Sequence, residues 1–333
     1  MASIHRLKIP LGLDLLDHVN LYLFVDHGLL IDVGPSGDEA YSTLTSELEE
    51  LGLKLRDLKA IIVTHAHIDH VGMWSRLVRD EELRAQLMIH PSELASLRNL
   101  ARGLQGPWAR RKRALRELGV PREDVERMEL ELKQFTPAVQ GLYEALAQRA
   151  RPLKANEEVV VGGLRVKALW TPGHSQGHLC IYERGTKALA LGDHVLPTIT
   201  PNVSEFEERR RPKLMLYLDS LSKLKRVNVN LALPGHGEPF NDLHRRVDEL
   251  QKHHFDRAER LLREVQRAPG STAYELASKL EWDVPYSSWE AFPAHQKYLA
   301  VGEAHAHLRL LEHRGLVEKV FDEAKGVKRY LPT

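Results

Sequence analysis

Cysteine is almost absent: Cys180, in "GHLCIYERG", is the single one in 333 residues. One thiol cannot close an intramolecular disulfide, and it excludes the multi-cysteine zinc sites of small structural modules. A reducing, cytoplasmic setting is therefore expected. An excess of one charge is also lacking, since 47 Lys and Arg stand against 46 Asp and Glu, a net of +1, so no globally polyanionic partner is implied. No apolar run approaches the ~20 residues that cross a bilayer. The opening "MASIHRLKIPLGLDLLDH" places Asp14 and Asp17 among its apolar positions, without the charged-apolar-cleavage order of a secretion signal. A soluble protein with no membrane partner is expected.

Apolar residues make up 43% of the chain, enough for a substantial core, and the length suits two domains. "VNLYLFVDHGLLIDVG" predicts two strands around the turn Asp26-His27-Gly28. Helical spacing follows at Ala40, Leu44, Leu48 and Leu51, closing at Gly52. "LKAIIVTH" is a buried strand, and "QLMIH" (86–90) is another that stops at Pro91. Between 92 and 151 the pattern turns helical, as in "ARRKRALRELGV" and "PAVQGLYEALAQRA", which predicts an insertion between strands. Residues 98–154 hold thirteen basic and seven acidic side chains, a local net of +6. Strand patterns return in "VVVGGLRVKALWTPG", "HLCIYERGTKALALGDH" and "VNVNLALPGHGEP". From about Arg245 the chain reads as mainly helical, with a domain boundary near Phe255.

The densest chemistry lies in "THAHIDH", which sets His65, His67, Asp69 and His70 just past a strand end. Alternate residues there point to one side, so His65 and His67 can share one cation. Asp69 and His70, as the chain turns toward a helix expected at "VGMWSRLV", can address a second cation. Imidazole and carboxylate donors without thiolate suit zinc, iron or manganese. A two-metal site needs more ligands at strand ends beside glycines. "TPGHSQGH" offers His174, "LALGDH" offers Asp193 and "LALPGHGE" offers His236.

The ordered series "LIDVG" (30–34), "THAHIDH", "PGHSQGH", "GDH" and "PGHG" resembles the metallo-β-lactamase-fold hydrolases over about residues 15–245. The resemblance implies an α+β fold, the αββα sandwich, for a catalytic domain over residues 1–254 with a helical insertion at about 92–151. It implies that His65, His67 and His174 hold one metal, that Asp69, His70 and His236 hold the second, and that Asp193 bridges them. Asp69 would also assist proton transfer. Asp32 would orient the ligand loops, although a turn or capping carboxylate fits the sequence equally well. The cofactors expected are two divalent ions, zinc foremost, with iron or manganese as alternatives. A hydroxide bridging the two metals would then attack a carbonyl, with no serine or cysteine nucleophile needed.

The "THxHxDH" form is like that of glyoxalase II thioesterases and acyl-homoserine lactonases, and also resembles the family's nucleases. A small-molecule thioester, ester or lactone is the expected substrate, with an anionic acyl group favoured if the basic insertion forms a lid. The alternative is a phosphodiesterase or ribonuclease acting on nucleic acid. A third reading is a non-catalytic binding protein, against which the complete donor set argues. "ARRKR" (109–113) and "EERRRPK" (207–213) also read simply as solvated helix faces. Cys180 reads as core. His178 and His194 read either as groups behind or facing the site or as loop histidines, and His253, His254, His305 and His307 as surface or packing residues.

Residues 255–333 resemble a winged-helix module. Ser271 or Thr272 would cap a helix with Glu275 completing a capping box, "VGEAHAHLRLLEHRG" would be a further helix, and "LVEKV" with "VKRYL" the wing. Residues 251–333 carry thirteen basic and twelve acidic side chains, too balanced for a phosphate-binding surface. A structural, dimerising or substrate-capping role is expected instead, with a homodimer as one partner state.

Overall fold

The computed structural model describes residues 2–12, 17–101 and 105–333. Asp14 lies outside them. Two compact units emerge, one of Met1–Arg102, Ala138–Pro201 and Ser220–Val247, the other of Gly103–Pro137, Asn202–Asp219 and Asp248–Thr333.

In the first unit, strands β1 (Ile4–Pro10), β2 (His18–Phe24), β3 (Leu29–Ile31), β4 (Ala60–Ile62), β5 (Gln86–Ile89) and β6 (Arg151–Pro152) form one sheet in sequence order. Its first three strands run antiparallel and β3 to β6 run parallel. A second sheet takes the order β11-β10-β9-β8-β7. Its members are β7 (Glu158–Val161), β8 (Leu164–Trp170), β9 (Leu179–Glu183), β10 (Ala188–Gly192) and β11 (Leu231–Pro234).

The two-residue period of a strand decides what each side chain meets. Leu29 and Ile31 of β3, with Ala60 and Ile62 of β4, join a core shared with Val166, Ile181, Ala190 and Leu233 of the second sheet. Leu30, Ile61 and Val63 point the other way, onto Ala40, Leu44 and Leu48 of helix α1 (Asp38–Glu50). Strands β3 and β4 are thus buried on both faces, which explains their unbroken apolar runs.

Two short helical turns, α2 (Ile68–Val71) and α3 (Trp74–Leu77), stand where the sequence predicts one helix at "VGMWSRLV". Asp69 and His70 consequently sit inside a helical turn and not ahead of it. Beyond β5, the insertion is helical as expected, with α4 (Pro91–Ala101), α5 (Gln105–Glu117) and α6 (Arg122–Arg149). Helix α7 (Lys213–Leu224) follows the second sheet's β10, and α8 (Leu243–Arg267) runs without a break through Phe255, where the sequence suggests a boundary.

The second unit gathers α5, the C-terminal helices α9 (Ala273–Ala277) and α10 (Ala294–His313), and the antiparallel hairpin of β12 (Val317–Asp322) and β13 (Val327–Pro332). Thr272 caps α9 with Glu275 in a reciprocal capping box. Tyr330, fully buried on β13, donates its backbone N–H to the Ser271 carbonyl at 3.0 Å and accepts at its own carbonyl from the Gly270 N–H at 2.8 Å. Ion pairs tie α5 and α6 to the C-terminal segment: Lys328 with Glu117 at 2.9 Å and Lys297 with Asp124 at 3.3 Å.

Several basic side chains of the insertion are held by neighbours inside the unit. Arg111 lies over the Phe206 ring at 4.5 Å, Lys112 pairs with Glu129 at 3.0 Å and Arg113 with Glu117 at 2.7 Å. Arg211 of the second basic stretch pairs with Asp219. The local net of +6 already counts Glu117 and Glu129, so these pairs order the basic side chains and leave the net charge of the insertion unchanged. Among the described residues, no helix is long and apolar enough to cross a membrane.

Candidate metal centre

The donors predicted from sequence lie in the first unit just beyond strand ends, Asp69 and His70 in the helical turn α2 that follows β4. After β4 the Thr64 N–H leaves the ladder and donates to Asp32 Oδ1 at 2.7 Å, so the chain turns outward and presents His65. His67 enters α2 from extended backbone, and Asp69 and His70 fill that turn. His174 follows β8, Asp193 follows β10 and His236 follows β11.

The donors converge in two groups that share one residue. His65, His67, His174 and Asp193 have ligand atoms within 4.8 Å of one another, and so do Asp69, His70, Asp193 and His236. Asp193 turns one oxygen to each. Its Oδ2 lies 3.9 Å from His65 Nε2 and 3.7 Å from His174 Nε2, whereas Oδ1 lies 3.2 Å from His70 Nε2 and 3.5 Å from His236 Nε2. His174 Nε2 and His67 Nδ1 approach to 2.9 Å, and His236 Nε2 and Asp69 Oδ2 to 3.1 Å. A Cβ on Gly235 would sit 2.5 Å from Asp193 Oδ1 and 2.7 Å from His70 Cε1, so only glycine lets the His236 loop approach this closely.

Partner chemistry assigns the imidazole tautomers. Asp32, 1% exposed, accepts from the Thr64 hydroxyl at 2.9 Å, so that hydroxyl in turn accepts from His65 Nδ1–H at 3.0 Å. His70 Nδ1 donates to Asp32 Oδ2 at 2.8 Å, and His236 Nδ1 donates to the His18 carbonyl at 2.9 Å. Three Nε2 atoms are left to face the carboxylates. The Nε2 atoms of His65 and His70 and the Oδ1 of Asp193 are buried without a hydrogen-bond partner. Stranding such atoms is costly, and a cation removes the cost, so the set fits divalent metals of the nitrogen- and oxygen-ligated kind.

Without a cation the carboxylates draw protons onto the imidazoles. Burial opposes charge on His236, but the carboxylates of Asp193 and Asp69 facing its Nε2 outweigh it and raise its pKa to about 9. His70 is likewise held well above its ordinary value against burial, by Asp193, Asp69 and Asp32. Asp69, which burial alone would raise, is held at about 2 by His70 and His236. His65 goes the other way and stays neutral, because burial and then His70 and His67 disfavour a charge.

His178 and His194 are fully buried, which removes the solvated-loop reading. The His178 ring packs 5.2 Å from that of His65, and its Nδ1 meets Thr171 Oγ1 at 2.9 Å. Cys180 is buried beside the same Thr171, and burial pushes its thiol up to about 12, far from a nucleophile's range. A third group, His253, His254 and Glu303, lies in the second unit. There Arg257 at 2.6 Å and Asn202 at 3.2 Å already satisfy the Glu303 carboxylate, so it reads as packed polar contact. Sequence reasoning missed Thr64, although it stands directly beside His65. It also missed Asn20 and Tyr22, which bond the Pro234 carbonyl ahead of His236, and Glu93, none of which had a local signal.

The match that decides the family covers residues 15–236, the span of every donor above, with the model of the metallo-beta-lactamase superfamily. This chain belongs to the metallo-β-lactamase superfamily. Among superfamily members, the probable metallo-hydrolase YqjP of Bacillus subtilis is 24% identical over 85% of this chain and 84% of its own length. The atrochrysone carboxyl ACP thioesterase of Aspergillus fumigatus is 32% identical, over 32% of this chain and 30% of that protein. A metallo-beta-lactamase family protein from Thermus thermophilus has a crystal structure that superposes with a TM-score of 0.78 at 30% identity, covering 99% of this chain and 98% of that one. A beta-lactamase domain protein from Burkholderia ambifaria superposes with a TM-score of 0.76 at 25% identity, over 99% and 91%. The αββα architecture and the histidine and aspartate cluster make this chain a hydrolase of that superfamily, consistent with a binuclear metal site.

Proposed function

We propose that the protein hydrolyses a small-molecule thioester, ester or lactone with two divalent metal ions, zinc foremost. The observation that carries the reading is Asp193, whose two oxygens face two separate sets of donors. His65, His67 and His174 would hold one ion, Asp69, His70 and His236 the other, and Asp193 would bridge. When bound, such a pair supplies Lewis acidity and a hydroxide nucleophile at neutral pH.

The chain's own residues then have separable tasks. Asp32 fixes the ring planes of His65, through Thr64, and of His70, so that neither imidazole must reorganise during reaction. Asp69 is more accessible than Asp193, with side-chain exposures of 22% and 10%. It is therefore the carboxylate assigned to proton transfer, with ligation as its main task because so low a pKa makes it a weak base.

An acyl substrate is supported by the thioesterase relative, and a sulfate ester is the substrate class named for another, the linear primary-alkylsulfatase of Pseudomonas, 22% identical over 64% of this chain. Residues 255–333 are read as winged-helix-like on the order of α8, α9, α10 and the β12–β13 hairpin, with a structural, dimerising or substrate-capping role. The single cysteine supports a cytoplasmic location. The test is hydrolysis of an acyl thioester, a lactone and a single-stranded RNA by the same metal-loaded sample. Turnover of the thioester or lactone supports the reading, and turnover of RNA alone replaces it with the nuclease.

A further inference from the structure

Glu93 stands in the first turn of α4, and an acid there has an ordinary explanation, attraction to the helix N-terminus. Its contacts say more. One carboxylate oxygen accepts from the Ala66 backbone N–H at 3.0 Å, and the other accepts from the Gly177 N–H at 2.6 Å. The residue is 4% exposed.

Those two amides belong to different donor loops. Ala66 lies between His65 and His67, so its peptide plane sets how these two imidazoles face each other. Gly177 lies three residues after His174, in the loop that brings the third donor of the same group. On the far side, Leu179 N–H donates to the Thr64 carbonyl at 2.9 Å. The two loops are therefore held by one backbone strut and one carboxylate clamp.

The Gly177 end is built to a close tolerance. A Cβ on Gly177 would lie 2.6 Å from His90 Nδ1 and 2.8 Å from Glu93 Cγ. The His90 ring stacks on Trp170 with 2° between planes, and the Trp170 indole N–H donates to the Gln176 carbonyl at 3.1 Å. This packing brings Glu93 and the loop together at hydrogen-bond distance.

We propose that Glu93 is a positioning residue for the metal centre: by accepting from Ala66 and Gly177 it sets the spacing between the His65–His67 loop and the His174 loop. The inference rests on the binuclear reading above. The clamp needs two acceptors on one side chain. Glu93→Gln keeps shape and volume but offers a donor where an N–H already points, so one hydrogen bond becomes a repulsion. Glu93→Asp keeps both acceptors but is one methylene short of spanning the gap.

The test is metal affinity by competition with a chelator, together with amide hydrogen exchange at Ala66 and Gly177, for wild type, Glu93→Gln and Gly177→Ala. The expected result is a loss of about 10- to 100-fold in metal affinity for Glu93→Gln, the range for outer-shell partners. Exchange at both amides should accelerate while the core strands stay protected. Gly177→Ala should reproduce this, and the double variant should lose less than the two single losses combined, because both break one clamp. Unchanged affinity and unchanged exchange in Glu93→Gln would overturn the proposal. If wild type binds no metal, the binuclear reading fails and the exchange data decide alone: faster exchange at the two amides supports the clamp, and unchanged protection refutes it.

Discussion

His70 Nδ1 donates to Asp32 Oδ2 at 2.8 Å with both side chains shut away from solvent, and this one contact fixes which nitrogen of His70 faces Asp193. Asp32 itself has φ 63°, in the left-handed region that asparagine and aspartate tolerate better than other residues. Two variants separate its roles. Asp32→Asn keeps a side chain suited to that backbone but not the paired acceptors, and metal affinity should fall about 10- to 100-fold. Asp32→Ala should show the same loss plus about 1–2 kcal/mol of backbone cost. Chelator competition reads the first effect and denaturant unfolding of the metal-free variants the second.

The raised pKa of His236 gives a pH dependence with a definite sign. In chelator-treated protein the protonated ring is stabilised by Asp69 and Asp193, so its contribution is complete below the ordinary value of 6.5 and is lost as pH rises through about 9. Metal must displace that proton, so metal affinity should increase over the same interval. Thermal unfolding at pH 6, 8 and 10 with and without metal measures both. A metal-free Tm that rises from pH 6 to pH 10 would contradict the assignment.

Gly235→Ala should damage chiefly the second donor group, because the added carbon would lie 2.5 Å from Asp193 Oδ1, the oxygen that faces His70 and His236, and 2.7 Å from His70 Cε1. Metal content should drop from about two to about one per chain. Elemental analysis of dialysed protein checks it.

Cys180→Ala should leave hydrolysis intact. The thiol is buried and held protonated, touching Thr171 and the Leu191 carbonyl. The expected effect is on stability only, about 1 kcal/mol for the lost packing. Loss of turnover with metal content unchanged would give the thiol a role that the account denies it.

The sandwich and the donors were legible because apolar β-branched runs ended, one after another, in glycines and histidines, and a strand end is where the backbone can turn a ligand into a cleft. What holds the donors was less legible. Glu93 reaches residues 27 and 84 positions away, and no local pattern encodes such distances. Single-face reasoning also stopped short at His305 and His307. Both are fully buried, because α10 is enclosed on every side from Ala300 to Leu308, and each donates from Nδ1 to a carbonyl, of Glu205 and Glu303 respectively. Composition likewise counts cations without revealing that Lys112 and Arg113 each have a carboxylate beside them.

The central claim is a two-metal centre joined by Asp193, and the most direct measurement is metal per chain for wild type and His67→Ala after reconstitution with zinc, manganese and iron, with hydrolysis read on the same samples. The account predicts about two metals in wild type, with occupancy and activity both reduced in the variant. Wild type that takes up none of the three metals would contradict it.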